Sequence, residues 1–231
     1  GLLERETSFG HVVVDEAQDL SPMQARAIAR RSEHGSITLL GDLAQGTAPW
    51  AAADWRDTLG HLGKPDAAVV PLTVGFRVPE MILELANRLL PALNVDVPEA
   101  ESLRRDGDLS IVPVPPSGDV DAAMLVEVTA ALEHEGSVAV IAADDAIARL
   151  RDHLAAAGIE AAGPDEVDSP ARVTVVPATV VKGLEYDHVI VIEPADIVAA
   201  EPRGLHRLYV VLTRAVSRLS VLHGRPLPPP L

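Results

Sequence analysis

Apolar positions along this chain fall into short runs without alternation, separated by stretches with helical spacing. Strand-like runs occupy residues 11–14, 37–40, 68–72, 109–114, 138–142, 173–176, 189–192 and 219–222. Helical patterns fill 22–31, 48–59, 79–89, 120–134, 145–156 and about 204–216. Runs such as Val12-Val13-Val14 and Val189-Ile190-Val191-Ile192 are apolar on successive residues, as expected of strands buried on both faces of a parallel sheet. Strand–helix alternation of this kind predicts a layered α/β fold. No internal repeat of fixed period interrupts it.

Several boundaries are readable. Ser21-Pro22 sets a capping hydroxyl before a proline at the first helical position, where its missing N–H costs nothing. Val78-Pro79-Glu80 opens the next helical stretch in a similar way, Asp144 is expected to cap the helix after the 138–142 strand, and Gly158 to end it. A break is expected near 73–75, and 94–108 reads as a polar loop. The tail 225–231, with Pro226 and Pro228 to Pro230, cannot be helical and is expected to lie extended.

Composition narrows the class. Hydrophobic residues make up 48% of 231 and charged residues 23%, a globular balance rather than a disordered one. No apolar run reaches the roughly 20 residues of a membrane-spanning helix. No basic-then-apolar leader is present, and the absence of cysteine excludes disulfides and thiolate metal sites. A cytoplasmic protein is the expectation, and the start at Gly1, shortly before a core strand, suggests a piece of something longer. The net charge of −15 and a total of six aromatic residues make a poor surface for gripping and stacking nucleic acid, and favour a protein partner.

The strongest local signal is His11-Val12-Val13-Val14-Asp15-Glu16-Ala17-Gln18-Asp19, a buried strand ending in adjacent carboxylates. Strand ends are where open α/β sheets bind ligands. One carboxylate there can hold Mg²⁺ while its neighbour orients an attacking water, although an acidic strand-to-loop turn has the same appearance. A second strand ends in Gly41-Asp42-Leu43-Ala44-Gln45, and parallel pairing of the two would bring Asp42 and Gln45 beside Asp15 and Glu16.

These segments resemble motifs II and III of superfamily 1 helicases of the UvrD/Rep type. Leu72-Thr73-Val74-Gly75-Phe76-Arg77-Val78-Pro79 is similar to motif IV, Val181-Lys182-Gly183-Leu184-Glu185-Tyr186-Asp187 to motif V, and Leu208-Tyr209-Val210-Val211-Leu212-Thr213-Arg214-Ala215 to motif VI, in the family's order. The resemblance implies ATP and Mg²⁺ as cofactors. It implies that Asp15 coordinates the metal, Glu16 activates water and Gln45 senses the γ-phosphate, with Asp42 beside the nucleotide. Arg77 and Arg214 would stabilise charge on the transferring phosphoryl group, Glu185 would contact the ribose, and Lys182 and Gly183 would line the site. Arginine suits such phosphate roles through its permanent charge and two-pronged geometry.

Departures from the family pattern are informative. Gly75 stands where most members carry asparagine before the motif IV aromatic and arginine. The aromatic-Arg-Gly segment that stacks bases in DNA-translocating relatives is replaced by Gly46-Thr47-Ala48-Pro49-Trp50, where Trp50 reads either as a base-stacking ring or as a packed residue at a helix start. Arg77 and Lys182 are 105 positions apart, too few for the accessory domain that DNA helicases insert there. The compact form resembles the bacterial HelD/HelR group of RNA polymerase recycling ATPases. The phosphate-gripping Walker A loop, Gly-x-x-Gly-x-Gly-Lys-Thr, does not occur among residues 1–231. The resemblance therefore implies two RecA-like (P-loop NTPase) parts: 1–73 as the end of a first domain and 74–231 as a nearly complete second one. The parent would remodel RNA polymerase, with DNA unwinding or a non-hydrolysing binding module as alternatives. Without the N-terminal half that carries Walker A, the chain itself is expected not to hydrolyse ATP.

Overall fold

The computed structural model describes residues 8–166 and 169–231. The chain divides into two compact units, Gly1–Pro71 with Asn94–Pro98, and Leu72–Leu93 with Glu99–Leu231.

The first unit is a strand–helix–strand crossover with one further helix. Strand β1 (Val12–Val14) leads through helix α1 (Pro22–Arg31) to β2 (Ile37–Leu39), which lies parallel to β1 with Val12 opposite Ile37 and Val14 opposite Leu39. Helix α1 begins where expected, for a local reason. Ser21 Oγ accepts the Gln24 N–H at 3.2 Å and Gln24 Oε1 accepts the Ser21 N–H at 2.8 Å, a reciprocal capping box with Pro22 in the first turn. Helix α2 (Trp55–His61) starts later than the 48–59 pattern suggests, because Asp54 caps it by accepting the Arg56 N–H at 2.8 Å. Against the expectation of a strand buried on both faces, no residue of β1 is fully buried and Val13 is 61% exposed, because among the described residues β1 and β2 form a sheet of their own. Two strands alone are marginal in water.

The second unit holds most of the core. A short parallel pair joins β3 (Val74–Gly75) to β4 (Glu101–Ser102), with α3 (Glu80–Asn87) and α4 (Leu90–Leu93) between them in sequence. The main sheet follows from β5 (Asp108–Pro113), α5 (Val120–Leu132), β6 (Val138–Ala142), α6 (Ile147–Ala156), β7 (Ala161–Ala162), β8 (Val173–Pro177), β9 (Tyr186–Ile192), α7 (Pro194–Ala199), α8 (Gly204–Leu212) and β10 (Ala215–His223). Its order is β5-β10-β9-β6-β8-β7 and every pairing in it is parallel. All five residues of β6 are buried, which explains their unalternating apolarity. Met124 and Val128 of α5 and Leu150 and Leu154 of α6 pack on Val138, Val140, Val173 and Ile190. Each fully buried leucine there contributes about 2 kcal/mol of apolar transfer energy.

Three expectations need correction. Residues 68–72 are not a strand: Val70 and Leu72 are 74% and 85% exposed, and among the described residues no strand pairs with them. The helix expected over 204–216 ends at Leu212, and Ala215 already belongs to β10. Asp144 does not cap α6 but starts a short 3-10 turn and accepts the Thr179 hydroxyl at 2.7 Å. Gly158, at φ +76°, does stand just past the end of α6.

The start of β9 is fastened to the start of β6. Asp187 Oδ2 accepts both the Ser137 N–H (2.8 Å) and its hydroxyl (2.9 Å), while Ser137 Oγ accepts the Asp187 N–H at 3.1 Å. The Ser137 backbone N–H, then its hydroxyl and the nearby His188, hold the Asp187 carboxyl below its ordinary pKa against the opposing effect of burial. A depressed carboxyl stabilises the fold above its unfolded value of about 3.9, and that contribution is lost as pH falls through the lower folded value. Asp187→Asn is therefore expected to flatten the decline in stability below about pH 5. Urea midpoints followed by circular dichroism from pH 6 to 2.5 check this; parallel acid limbs in the two proteins would show that the carboxylate contributes nothing.

Candidate functional site

In the first unit the parallel register brings the ends of β1 and β2 side by side, and the polar segments that follow them are joined by one amide. Gln18 is 1% exposed. Its Nε2 donates to Glu16 Oε2 at 2.6 Å, and its Oε1 accepts the Asp42 N–H at 3.1 Å. Asp15 Oδ1 accepts the Glu16 N–H at 2.8 Å, and the Ala17 N–H donates to the Leu40 carbonyl at 2.9 Å. Glu16 adopts φ +53°, a left-handed conformation uncommon for a non-glycine residue and most often found where neighbouring contacts enforce it. Gly41 leaves the space these contacts need: a Cβ there would lie 2.3 Å from Gln18 Oε1 and 2.9 Å from the Trp55 ring.

The second segment is ordered in the same way. Asp42 Oδ1 accepts the Ala44 N–H and Oδ2 accepts Gln45 Nε2, both at 2.9 Å. Asp19 Oδ1 accepts the N–H groups of Thr47 and Ala48, each at 2.9 Å, so the chain turns there instead of entering a helix. Trp50 is not the packed helix-start residue that was one of its two readings: it is 54% exposed, outside any helix, with its ring N–H on the Asp19 carbonyl at 2.8 Å. The structure thus brings Asp15, Glu16, Asp42 and Gln45 together within the first unit. Gln18 and Asp19, which sequence reading quoted but gave no role, hold them there.

In the second unit the candidate residues gather at the N-terminal ends of β9 and β10. Glu185 immediately precedes β9 and Arg214 immediately precedes β10, where Tyr186 pairs with Ala215 and the Tyr186 N–H donates to the Arg214 carbonyl at 3.1 Å. Arg77 Nη1 meets Glu185 Oε1 at 2.5 Å, and both side chains are nearly half exposed. Gly183 takes φ +81° with open space around it, so the turn, not crowding, calls for glycine. The neighbouring Lys182 is half-buried. Arg214 is 3% exposed; Nε donates to the Val210 carbonyl at 3.0 Å, Nη1 to the Leu184 carbonyl at 3.4 Å, and Nη2 to Thr213 Oγ1 at 3.3 Å. A second buried guanidinium, Arg207, pairs with Glu201 at 2.5 Å and donates to the Thr179 carbonyl at 3.3 Å, tying α8 to the segment before Lys182. A cleft of about 330 Å³ opens between α5, the start of β5 and the middles of β9 and β10, and none of the candidate residues lines it.

Comparison with known proteins bears on fold and kinship. No protein-family model matches the chain. It is 35% identical over 105 residues, 45% of its length, to the ATP-dependent DNA helicase UvrD2 of Mycobacterium bovis and of Mycobacterium tuberculosis. It spans 15% of the length of those relatives. Among solved structures, the Arterivirus nonstructural protein 10 helicase aligns over 95% of this chain and 40% of its own, at 17% identity and TM-score 0.52. Its complex with DNA aligns over 95% and 41%, at 17% and 0.51. The fold is RecA-like. Parallel α/β architecture was the expectation from sequence, and the 105 aligned residues are similar to part of UvrD2. At such low identity the viral helicase speaks for the fold alone.

The residues present suit a magnesium nucleotide in one respect. Asp15 is exposed, and only its Oδ1 accepts a hydrogen bond from the described residues. Among those residues no three acidic or histidine side chains converge as a self-sufficient metal cage. Mg²⁺ commonly takes one or two carboxylates and completes its shell with water and phosphate oxygens, and the donor set here fits that pattern.

Because Gln18 is buried and bonded at both ends, Gln18→Ala is expected to destabilise the first unit by about 1–3 kcal/mol. Both tryptophans, Trp50 and Trp55, lie in this unit, so tryptophan fluorescence during urea unfolding reports on it selectively. An unchanged midpoint would show that the amide bridge is not what holds the two segments together.

Proposed function

We propose that this chain supplies ATP-site residues to a helicase-type, ATP-driven motor. The reading is carried by Asp15, Glu16, Asp42 and Gln45 sharing one hydrogen-bonded cluster at the ends of adjacent parallel strands. Kinship with a helicase supports it. Bound MgATP would bring the scissile phosphoanhydride and the metal charge. Asp15 would hold the metal. Glu16, oriented by Gln18, would take a proton from the attacking water, and Gln45, oriented by Asp42, would respond to the terminal phosphate. Arg77 and Arg214 would offset the negative charge that builds on the transferring group, and Lys182, Gly183 and Glu185 would contact the nucleotide. Since Arg77 and Glu185 are paired, nucleotide binding would have to share or break that pair.

Two readings of what the motor acts on each have support. Net charge −15 and the short interval between Arg77 and Lys182 favour remodelling of RNA polymerase over gripping DNA phosphates. Similarity to a protein named as a DNA helicase favours DNA translocation. Co-purification with RNA polymerase that persists after nuclease treatment supports the first. ATPase stimulation by single-stranded DNA, weakening steeply with salt, supports the second.

The catalytic assignment has its own test. In the longer protein containing this chain, Glu16→Gln is expected to lower ATP turnover by about 100-fold or more while ATP binding persists, as loss of a general base allows. Retained hydrolysis would overturn the role given to Glu16. The chain alone, which has no phosphate-gripping lysine loop among its residues, is expected to show no turnover above background in a phosphate-release assay.

A further inference from the structure

Among the described residues the main sheet has one register shift. Between Ala215 and Arg218 the ladder of β10 with β9 advances three residues against two, from Tyr186 to His188. Such a bulge leaves a backbone group without its ladder partner and redirects the chain around it. It falls directly after Arg214. The Val216 carbonyl inside it is taken by a side chain remote in sequence: Arg104 Nη1 donates to it at 2.6 Å. The same nitrogen donates to the Arg77 carbonyl at 2.8 Å. Asp106 grips the other side of the guanidinium, with Nε at 3.1 Å and Nη2 at 2.8 Å. That fork-to-fork pair fixes the plane of the group and leaves Nη1 to bridge the two carbonyls.

The surrounding backbone joins the same junction. Ser102 Oγ donates to the Val78 carbonyl at 2.6 Å and accepts the Arg104 N–H at 3.0 Å. The Glu80 N–H donates to the Arg104 carbonyl at 2.7 Å. Gly107, at φ +149°, lies so close to Pro79 that an added Cβ would come within 2.4 Å of its ring. Residues 102–107 therefore hold the turn after Arg77 from one side and the bulge after Arg214 from the other.

We infer that Arg104, oriented by Asp106, is a positioning residue that sets Arg77 and the segment following Arg214 in a fixed relation to each other. It acts through the backbones of the two arginine-bearing segments. This rests on the proposed roles of Arg77 and Arg214. Lysine cannot reproduce it, because one ammonium lacks the planar fork that lets Asp106 hold one side while the other spans two carbonyls.

The test uses Arg104→Ala, Arg104→Lys and Asp106→Asn in the longer protein, together with Arg77→Ala. Loss of positioning is expected to lower kcat for ATP by about 10- to 100-fold in both Arg104 variants, with KM changed less than threefold, because small displacements of a charge-stabilising group act on the reacting state. Asp106→Asn, at a side chain 74% exposed, keeps the fold and is expected to lower kcat by a smaller factor in the same direction. In the Arg77→Ala background, Arg104→Ala is expected to add less than threefold. Unchanged kcat in Arg104→Lys and Asp106→Asn, or full multiplicative loss in the double variant, would overturn the inference. If Arg77→Ala itself leaves kcat intact, it is the proposed site that fails. A reading independent of catalysis comes from hydrogen exchange on the 231-residue chain. Amides of 74–80 and 215–218 are expected to exchange at least 10-fold faster together in Arg104→Ala while β6 is unchanged; unaltered exchange in both segments would contradict the bridge.

Discussion

Parallel strand pairing is the constraint on which both candidate clusters depend. Parallel strands end side by side, so polar residues 24 or more positions apart in sequence arrive at one place once the register is set. In the first unit, β1 opposite β2 delivers Asp15, Glu16, Asp42 and Gln45 to the C-terminal ends, and the buried Gln18 amide then fixes how the two segments face each other. In the second unit the relevant ends are the N-terminal ones, where Glu185 and Arg214 enter β9 and β10. Replacing Gly41 by any residue with a Cβ would push on Gln18 Oε1, so the same glycine that ends the second strand run also protects the amide bridge.

The two clusters differ in how their charges are held. Carboxylates of the first are fixed by backbone N–H groups and amides, contacts that orient an anion without neutralising it. Cations of the second are fixed by carbonyls and by acids. Arg214 is buried on carbonyl oxygens, Arg77 is paired with Glu185 in partly exposed surroundings, and Arg104 is locked by Asp106. Arg104 and Asp106 each favour the charged form of the other, which raises one pKa and lowers the other through the hydrogen bond between them. At exposed positions such a pair matters less for stability than for the direction it imposes.

What could be read from sequence followed range. Helix α1, bounded by its own Ser21, Pro22 and Gln24, matches the expected 22–31 because every contact that sets its start lies within four residues. The buried strands β6 and β9 announce themselves through unbroken apolarity. Residues 68–72 have the same apolar composition yet form no strand, because composition cannot say whether a neighbour is there to pair with. The segment 94–108 reads as a loop for its polarity, although it carries β4 and Arg104. Their meaning lies in partners 27 and 112 positions away, which no local pattern records. Motif resemblance singled out Asp15, Glu16, Asp42, Gln45, Arg77, Glu185 and Arg214 as candidates; it could not indicate that Arg214 is buried or that Arg77 and Glu185 are already paired.

The central claim is that Asp15, Glu16, Asp42 and Gln45, brought together by the parallel pairing of β1 with β2, serve one magnesium nucleotide. Hydrogen exchange of the longer protein, titrated with Mg²⁺ and a non-hydrolysable ATP analogue, tests it directly. The account predicts that segments 12–19 and 40–46 gain protection together, with the same half-saturating concentration. Protection confined to one segment, or two segments responding at different concentrations, would contradict it.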